Sequence, residues 1–303
     1  MTPTYTGIVP PMITPLTERD TLDVAGLERL VERLVDGRVS GVFILGTTGE
    51  APSLSYRLRR ELIQRTCDLV KGRLPVLVGI TDTSLVESAA LAQAAERMGA
   101  DALVTSAPYY FPAGQPELKE YIEQLVEELP LPLMLYNMPA LTKVSFSPEV
   151  VEWAIDCEKI VGLKDSSGDL TYFRKMQYLA AKKRPDWSLL VGPEEILAET
   201  VLLGGHGGVN GGANLNPKLY VDLYNAAAAG DLDKSRELSR QVLELSQAIY
   251  SVGHHGSAII KGLKCALSIL GVCDDFMASP FHRFREAERA QITQQLEMLN
   301  ITA

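Results

Sequence analysis

Several features that mark other classes of protein are missing from this sequence. It has no block of lysine and arginine residues, and its formal net charge is -9, so a nucleic-acid partner, which calls for a basic surface, is not expected. It has no uninterrupted run of about 18 apolar residues, the length that a membrane-spanning helix needs. Residues 1–5 lack the basic region followed by an apolar stretch of a secretory signal. The sequence therefore predicts a cytoplasmic protein with neither a membrane nor a nucleic-acid partner.

Cysteine and histidine are scarce and scattered. The four cysteines form no CxxC pair, so they predict separate thiols in a reducing compartment: Cys67, Cys157, Cys265 and Cys273. The four histidines lack the HxH and HExxH spacings of metal sites: His206, His254, His255 and His282. The expected chemistry is therefore independent of a metal ion.

Short β-branched or apolar runs recur at even spacing along the first three quarters of the chain. We expect eight strands: Gly7–Val9, Val42–Leu45, Val76–Ile80, Ala102–Thr105, Leu133–Tyr136, Ile160–Lys164, Leu189–Val191 and Gly207–Gly211. Between them lie segments of helical period with charges on the opposite face. Eight alternating strand and helix units predict an α/β protein with a (β/α)8 TIM barrel.

After Tyr224 the strand pattern stops, and the rest of the chain has helical character. Three helices are expected, at Leu232–Ile249, Ser257–Leu270 and Arg283–Leu299. We therefore predict a barrel domain over residues 1–226 and a C-terminal helical appendage over residues 227–303. An open doubly wound sheet is the alternative, but neither GxGxxG nor GxxxxGK[ST] occurs.

Active sites of (β/α)8 barrels lie at the carboxyl ends of the strands, so the residues that end each run are candidates. Lys164 ends the apolar stretch from Ile160 to Leu163. Burial at that point would lower the pKa of the amine and leave neutral lysine to attack a ketone, as Schiff-base catalysis requires. The alternative is a structural lysine that reaches solvent or pairs with Asp165.

Two further strand ends carry polar groups. Tyr136 ends the fifth run, where a phenol could transfer a proton, although buried tyrosines are also common in cores and interfaces. The Gly46-Thr47-Thr48-Gly49 loop after the second run offers two hydroxyls and several backbone N–H groups, which suit a carboxylate. An ordinary glycine-rich turn before the next helix is the alternative.

A glycine cluster surrounds the eighth run, at residues 204–212. Many barrels bind phosphate near this strand, so a phosphorylated substrate is one interpretation. No lysine or arginine lies between Gly192 and Pro217, however. Close backbone packing at an open barrel mouth is therefore the favoured interpretation.

Three segments in order resemble the dihydrodipicolinate synthase and N-acetylneuraminate lyase superfamily of class I, pyruvate-dependent aldolases. They are residues 41–51 (GVFILGTTGEA), residues 136–139 (YNMP) and residues 161–166 (VGLKDS). The likeness extends through essentially the whole chain. It implies a carbon–carbon lyase that needs no cofactor beyond the covalent imine on its own lysine.

The resemblance also implies roles for individual residues. Lys164 would form the imine with pyruvate or a 2-keto acid, and Tyr136 would shuttle the proton beside it. Thr47, with Gly46 and Thr48, would bind the keto-acid carboxylate, and the backbone around Val209 would lie near the pyruvate unit. Tyr110 matches a tyrosine that a neighbouring subunit supplies to the proton relay. A homo-oligomer, often a tetramer built from tight dimers, is thereby implied.

Departures from the family pattern bear on the second substrate. Dihydrodipicolinate synthases usually carry an arginine, for the carboxylate of aspartate semialdehyde, where this chain has Leu141. Leu141 resembles instead the pattern of sialate lyases and 2-keto-3-deoxy sugar-acid aldolases. The segment Gly192-Pro193-Glu194-Glu195 resembles one that binds substrate hydroxyls in sialate lyases.

These features favour a class I aldolase that cleaves a 2-keto-3-deoxy sugar acid to pyruvate and an aldehyde. Glu194, Glu195 and Gly192 would contact the tail of the sugar acid. Dihydrodipicolinate synthase itself is the closest alternative. A non-catalytic keto-acid or sugar-acid binding protein is the alternative of another class, because a fold does not determine a function.

Overall fold

The computed structural model describes residues 4–302, and its centre is a sheet of eight parallel strands. The strands, numbered in chain order around the barrel, are β1 (Gly7–Ile8), β2 (Val42–Ile44), β3 (Val76–Gly79), β4 (Ala102–Ser106), β5 (Leu133–Asn137), β6 (Ile160–Asp165), β7 (Ser188–Val191) and β8 (Gly207–Gly208). All eight predicted strands are present, with ends that differ by a few residues.

The sheet closes on itself through the chain that follows β1. β1 pairs with β8, with Gly7 opposite Gly207. On its other side the backbone N–H of Phe43 donates to the carbonyl of Pro10 at 2.9 Å, and Met12 donates to Phe43 at 2.8 Å. The predicted (β/α)8 barrel is therefore confirmed.

Helices surround the barrel and follow its strands. In chain order they are α1 (Val24–Asp36), α2 (Tyr56–Val70), α3 (Leu85–Arg97), α4 (Gln115–Glu128), α5 (Pro139–Thr142), α6 (Pro148–Asp156), α7 (Leu170–Lys183), α8 (Leu197–Leu202), α9 (Pro217–Ala228), α10 (Leu232–Tyr250), α11 (Ala258–Ile269) and α12 (Glu286–Met298). α1 shows the principle, because Leu27, Leu30, Val31 and Leu34 all face the barrel.

Two hydrophobic cores follow from the two faces of the strands. One lies between the sheet and the helices and is the larger. The other fills the barrel interior with side chains at alternate strand positions, such as Ala102 and Val104 or Met134 and Tyr136. Residues at the top of the interior core therefore open into the barrel mouth.

The glycine cluster at β8 permits a close backbone approach. Gly207 has a φ of +147°, and a Cβ atom there would lie 1.9 Å from the carbonyl oxygen of Gly7. No other residue type fits where β1 and β8 meet. This contact supports the packing interpretation of the cluster.

Two features near the chain ends complete the fold. A short antiparallel hairpin, Leu16–Glu18 with Thr21–Leu22, was not expected, because its polar residues carry no strand pattern. The C-terminal helices begin and end close to the predicted positions, and Asp231 caps α10 by accepting from the N–H of Lys234. α9 runs two residues past the proposed domain boundary at 226. The division into two domains remains a prediction.

None of the helices between residues 4 and 302 is long and apolar enough to cross a membrane. The four cysteines are free thiols, two of them buried and two half-buried.

Candidate active site

Lys164 and Tyr136 lie side by side because they occupy matched positions on neighbouring strands. In the β5–β6 pairing Tyr136 is the register partner of Lys164, and Asn137 is the partner of Asp165. Residues paired in this way in a parallel sheet point to the same face. Tyr136 and Lys164 therefore both face the barrel interior, and the Lys164 Nζ lies 3.9 Å from the centre of the Tyr136 ring.

The Lys164 amine is enclosed by aromatic side chains. Its side chain is buried, and its Nζ lies 5.1 Å from the centre of the Phe43 ring, which packs edge-on against Tyr136. Burial lowers the pKa of Lys164, while the Tyr136 phenol acts in the opposite direction. The environment thus favours a neutral amine, as expected from the sequence.

Asp165 is not the partner of that amine. It lies on the opposite face of β6 and accepts hydrogen bonds from the Asn137 side chain at 2.9 Å and the Ser167 hydroxyl at 3.0 Å. Burial raises the pKa of Asp165. The alternative of a structural Lys164–Asp165 pair is therefore wrong, and Asp165 instead joins the ends of β5 and β6.

The loop after β2 brings Thr47 to the tyrosine. The Thr47 Oγ1 and the Tyr136 hydroxyl lie 3.2 Å apart and share a hydrogen bond. Within residues 4–302 the backbone N–H groups of Thr47 and Thr48 donate to no protein acceptor. The loop therefore offers two hydroxyls and two uncommitted N–H donors next to Lys164, a set that suits an anion.

A cavity of about 360 Å³ opens above these residues. It is lined by most of the side chains that the sequence singles out, together with residues from the C-terminal helices: Thr47, Thr48, Tyr136, Leu141, Lys164, Gly192, Glu194, Glu195, Val209, Tyr250, Ile259 and Ile260. Among the lining residues of the described chain, Lys164 is the only lysine or arginine. The cavity therefore suits a small molecule whose tail is neutral.

The two predicted site glycines, Gly46 and Gly192, line different cavities. Gly192 lines the cavity, and a Cβ atom there would lie 1.9 Å from the Ser166 hydroxyl, so any larger residue would displace Ser166. Gly46 lies on the other side of Thr47, in a neighbouring cavity of about 260 Å³. Thr47, Tyr136 and Leu141 border both cavities.

Glu194 and Glu195 differ sharply in environment. Glu194 is buried, and its carboxylate accepts from the Tyr220 hydroxyl at 2.6 Å, the Gly212 N–H at 2.9 Å and the Tyr250 hydroxyl at 3.2 Å. Burial raises the pKa of Glu194 to about 7. Glu195 is exposed at the cavity rim. Glu194 thus borders the tail end of the cavity with its oxygens already engaged by protein donors.

Tyr110 is the predicted site residue that lines neither cavity of the described chain. Its side chain is 81% exposed, as is that of the following Phe111. The preceding Tyr109 lines the 260 Å³ cavity beside Thr47 and Tyr136. Within one chain, therefore, Tyr110 does not join the contact between threonine and tyrosine.

Sequence reasoning missed several residues of the site. Phe43 lies in the same motif as the threonine loop and could have been inferred from strand alternation. Tyr220 and Tyr250 reach Glu194 from α9 and α10, and no local pattern indicates such distant contacts.

Comparison of the sequence with known proteins identifies relatives whose names describe aldolases and synthases. The family model described as "Dihydrodipicolinate synthetase family" matches residues 4–299. The Escherichia coli protein named "Probable 2-dehydro-3-deoxy-D-pentonate aldolase YjhH" is 35% identical over 258 residues, which cover 85% of this chain and 85% of that protein.

Two solved structures show the same fold. Dihydrodipicolinate synthase from Bacteroides thetaiotaomicron superposes with a TM-score of 0.95 at 55% identity, covering 98% of this chain and 100% of that one. YagE from Escherichia coli, solved in complex with pyruvate, gives a TM-score of 0.92 at 31% identity, covering 98% and 99%. Relatives named aldolase and synthase confirm the expectation of a carbon–carbon lyase. The chain belongs to the dihydrodipicolinate synthetase family.

Proposed function

We propose that this enzyme is a Schiff-base aldolase that reversibly cleaves a 2-keto-3-deoxy sugar acid to pyruvate and an aldehyde. The observation that carries the proposal is the buried Lys164 amine beside the Tyr136 ring, at the mouth of the barrel. A desolvated lysine with a lowered pKa is the nucleophile that imine formation needs. Within residues 4–302 Lys164 has no acidic partner that would explain its burial, and Tyr136 hydrogen-bonds to Thr47 of the candidate site.

The chemistry follows from these two groups. The neutral Nζ of Lys164 attacks the C2 ketone, and the Tyr136 hydroxyl gives up its proton as water leaves, which yields a protonated imine that acts as an electron sink and a Tyr136 phenolate. The phenolate accepts the proton of the C4 hydroxyl, and the C3–C4 bond breaks to release the aldehyde. Protonation of the enamine at C3 and hydrolysis of the imine then release pyruvate and restore Lys164. No metal ion or separate cofactor is needed for these steps.

The Thr47–Thr48 loop would hold the carboxylate of the keto acid. Its two N–H groups donate to no acceptor in the described part of the chain, residues 4–302, and both threonines line the cavity next to Lys164. Charge-assisted hydrogen bonds from such donors orient the ketone toward the amine. Val209 forms part of the wall on which the pyruvate unit would lie.

The tail end of the cavity favours a neutral, hydroxylated aldehyde fragment. Leu141 lies at the wall where the family resemblance places the arginine that binds a second carboxylate, and Lys164 is the sole cation among the described lining residues. Glu195 and the Tyr250 hydroxyl oxygen supply acceptors for sugar hydroxyls on the same side, and Glu194 borders them while it accepts from the Tyr250 hydroxyl. The name of the relative YjhH, a pentonate aldolase, agrees with this class of substrate.

Dihydrodipicolinate synthesis is the second candidate. The observation in its favour is the 55% identity to the Bacteroides thetaiotaomicron protein described as dihydrodipicolinate synthase. That reaction would bring a second carboxylate into the cavity, whose lining within residues 4–302 contains no arginine to pair with it. We therefore rank it below sugar-acid cleavage.

A pair of assays separates the two candidates. Pyruvate release is measured across a panel of neutral 2-keto-3-deoxy sugar acids, and condensation is measured with pyruvate and aspartate semialdehyde. The proposal predicts turnover of at least one sugar acid with a kcat/KM of about 10⁴ M⁻¹s⁻¹ or more. A value of that size for aspartate semialdehyde alone would overturn it. The Lys164→Ala variant, which should fold but not turn over, controls for contaminating activity.

We further propose that the enzyme is a homo-oligomer in which Tyr110 is covered by another subunit. The 81% exposure of both Tyr110 and Phe111 supports this, because two adjacent exposed aromatic side chains form an apolar patch of the kind that marks a protein–protein interface. Sedimentation of the wild type and of a Tyr110→Ala/Phe111→Ala variant tests it. A wild type that sediments as a monomer would refute the proposal.

A further inference from the structure

The mouth of the barrel contains a second buried lysine that takes no part in the proposed chemistry. Lys264, on α11, pairs with Glu50 at 2.5 Å, and the two side chains are 0% and 1% exposed. The Lys264 Nζ also donates to the carbonyl of Phe276 at 2.6 Å. The second carboxylate oxygen of Glu50 accepts from the N–H of Ala278 at 2.8 Å. The pair is thus fully enclosed and hydrogen-bonded on both sides.

Such a pair is not explained by stability alone. Removing two charges from water is so unfavourable that well-packed apolar residues often serve the fold as well or better. Burial indeed lowers the pKa of Lys264, and Glu50 opposes that effect. The pair joins two segments that lie 214 residues apart in the chain, so it can hold the backbone at Glu50 in a defined position relative to α11.

The pair adjoins the threonine loop. Glu50 directly follows the Gly46–Gly49 loop, and its N–H donates to the carbonyl of Thr47 at 3.0 Å. Its backbone has a φ of 57°, and Leu45, at the other end of the loop, has a φ of 58°. Residues with side chains persist in this left-handed region only where the surroundings hold them there. The loop is therefore bounded by two strained residues, and the side chain of one of them is tied to α11.

We propose that Lys264 is a positioning residue, which acts through Glu50 to hold the Thr47–Thr48 loop in the conformation that receives the substrate carboxylate. The inference depends on the proposed function, in which this loop binds the carboxylate of pyruvate. It makes the C-terminal helices part of the catalytic apparatus, although Lys264 itself contacts neither substrate nor Lys164. Its loss should weaken pyruvate binding and leave the amine chemistry unchanged.

The test is a double variant, Glu50→Gln/Lys264→Met, which removes both charges and keeps similar shapes. The fraction of enzyme trapped by borohydride is measured against pyruvate concentration and against pH, and folding is followed by circular dichroism. We expect the half-saturating pyruvate concentration to rise about tenfold, which corresponds to about 1.4 kcal/mol. The trapped fraction at saturation and the pH midpoint of trapping should stay as in the wild type, because both depend on Lys164.

Leu296→Ala is the matched control. Leu296 is buried on α12, so its truncation destabilises the same C-terminal region without removing a hydrogen bond to the loop. It should leave the half-saturating concentration unchanged. If the double variant does not fold, Glu50→Gln alone is measured in the same way, and the same rise is expected.

The outcomes separate this inference from the function on which it depends. If the wild type is trapped and the folded double variant has the same half-saturating pyruvate concentration, the role of Lys264 is overturned and the aldolase proposal stands. An equal rise in Leu296→Ala would also overturn it, since general loosening would then suffice. Absence of trapping in the wild type would overturn the proposed function, and this inference with it.

Discussion

Replacing Tyr136 with phenylalanine removes one hydroxyl group and little else. The ring packs edge-on against Phe43, with centroids 6.3 Å apart, and lies beside the Lys164 amine. Phenylalanine keeps both contacts. The variant loses the hydrogen bond of 3.2 Å to Thr47 and the proposed proton acceptor. The free energy of unfolding should therefore change little, whereas kcat should fall strongly.

The expected magnitudes differ enough to be distinguished. Loss of one hydrogen bond between neutral groups should lower the free energy of unfolding by about 0.5–1.5 kcal/mol. Loss of a positioned acid–base group should lower kcat by about 10² to 10⁴-fold, or about 3–5 kcal/mol of transition-state stabilisation. Imine formation with pyruvate should persist in a trapping assay, because the Lys164 amine remains buried beside a ring and solvent can supply the proton that the loss of water requires.

The assay combines urea unfolding, steady-state pyruvate release and borohydride trapping on one preparation of Tyr136→Phe. A Tyr178→Phe variant, whose exposed side chain lies on α7 and lines neither cavity, provides the comparison. A fall in kcat below tenfold, with trapping intact, would refute the assignment of Tyr136 as the proton shuttle. Loss of trapping with normal folding would show that the hydroxyl is needed at imine formation instead.

Three further predictions follow from charge and burial. Because burial lowers the pKa of Lys164, the folded protein binds fewer protons than the unfolded chain between the lowered pKa and 10.5, and wild-type stability rises with pH in that window. Lys164→Met should therefore be more stable than the wild type at pH 7 by urea unfolding, and its advantage should shrink as pH rises toward 10.5. Burial raises the pKa of Glu194 from 4.5 to about 7, so the free energy of unfolding of the wild type should fall by about 3 kcal/mol as pH rises from 4.5 to above 7. Urea unfolding at pH 5 and pH 8 should show this loss in Glu195→Gln but not in Glu194→Gln. Leu141→Arg should raise kcat/KM for aspartate semialdehyde at least tenfold relative to neutral aldehydes, since a charge-assisted hydrogen bond contributes about 1.5–3 kcal/mol; an unchanged ratio would contradict the assigned role of that wall.

The fold could be predicted from the sequence because each barrel unit carries its own pattern. Each of the eight apolar runs and each amphipathic segment between them can be recognised within a short window of sequence, without knowledge of tertiary contacts. The hairpin at Leu16–Glu18 and Thr21–Leu22 escaped prediction because its three- and two-residue strands are too short and polar for a period-2 pattern. Its position depends on tertiary contacts, such as the bridge from Leu16 to Asp275.

The candidate site could be predicted in part for the same reason. Lys164, Tyr136 and Thr47 each end or follow a strand, and the barrel brings strand ends together, so their proximity follows from topology. The Lys264–Glu50 pair does not follow in this way, because nothing in the amphipathic pattern of α11 shows where its lysine points. Tyr110 lies outside the site of its own chain, so the role proposed for it would require a second subunit.

The measurement that tests the central claim most directly is borohydride reduction in the presence of pyruvate, followed by intact mass and peptide mapping. The account predicts one stable pyruvate adduct per chain, located on Lys164, and none in Lys164→Ala. No adduct under conditions that trap a known aldolase of this class, or an adduct on another lysine such as Lys264, would contradict the assignment of Lys164 as the Schiff-base residue.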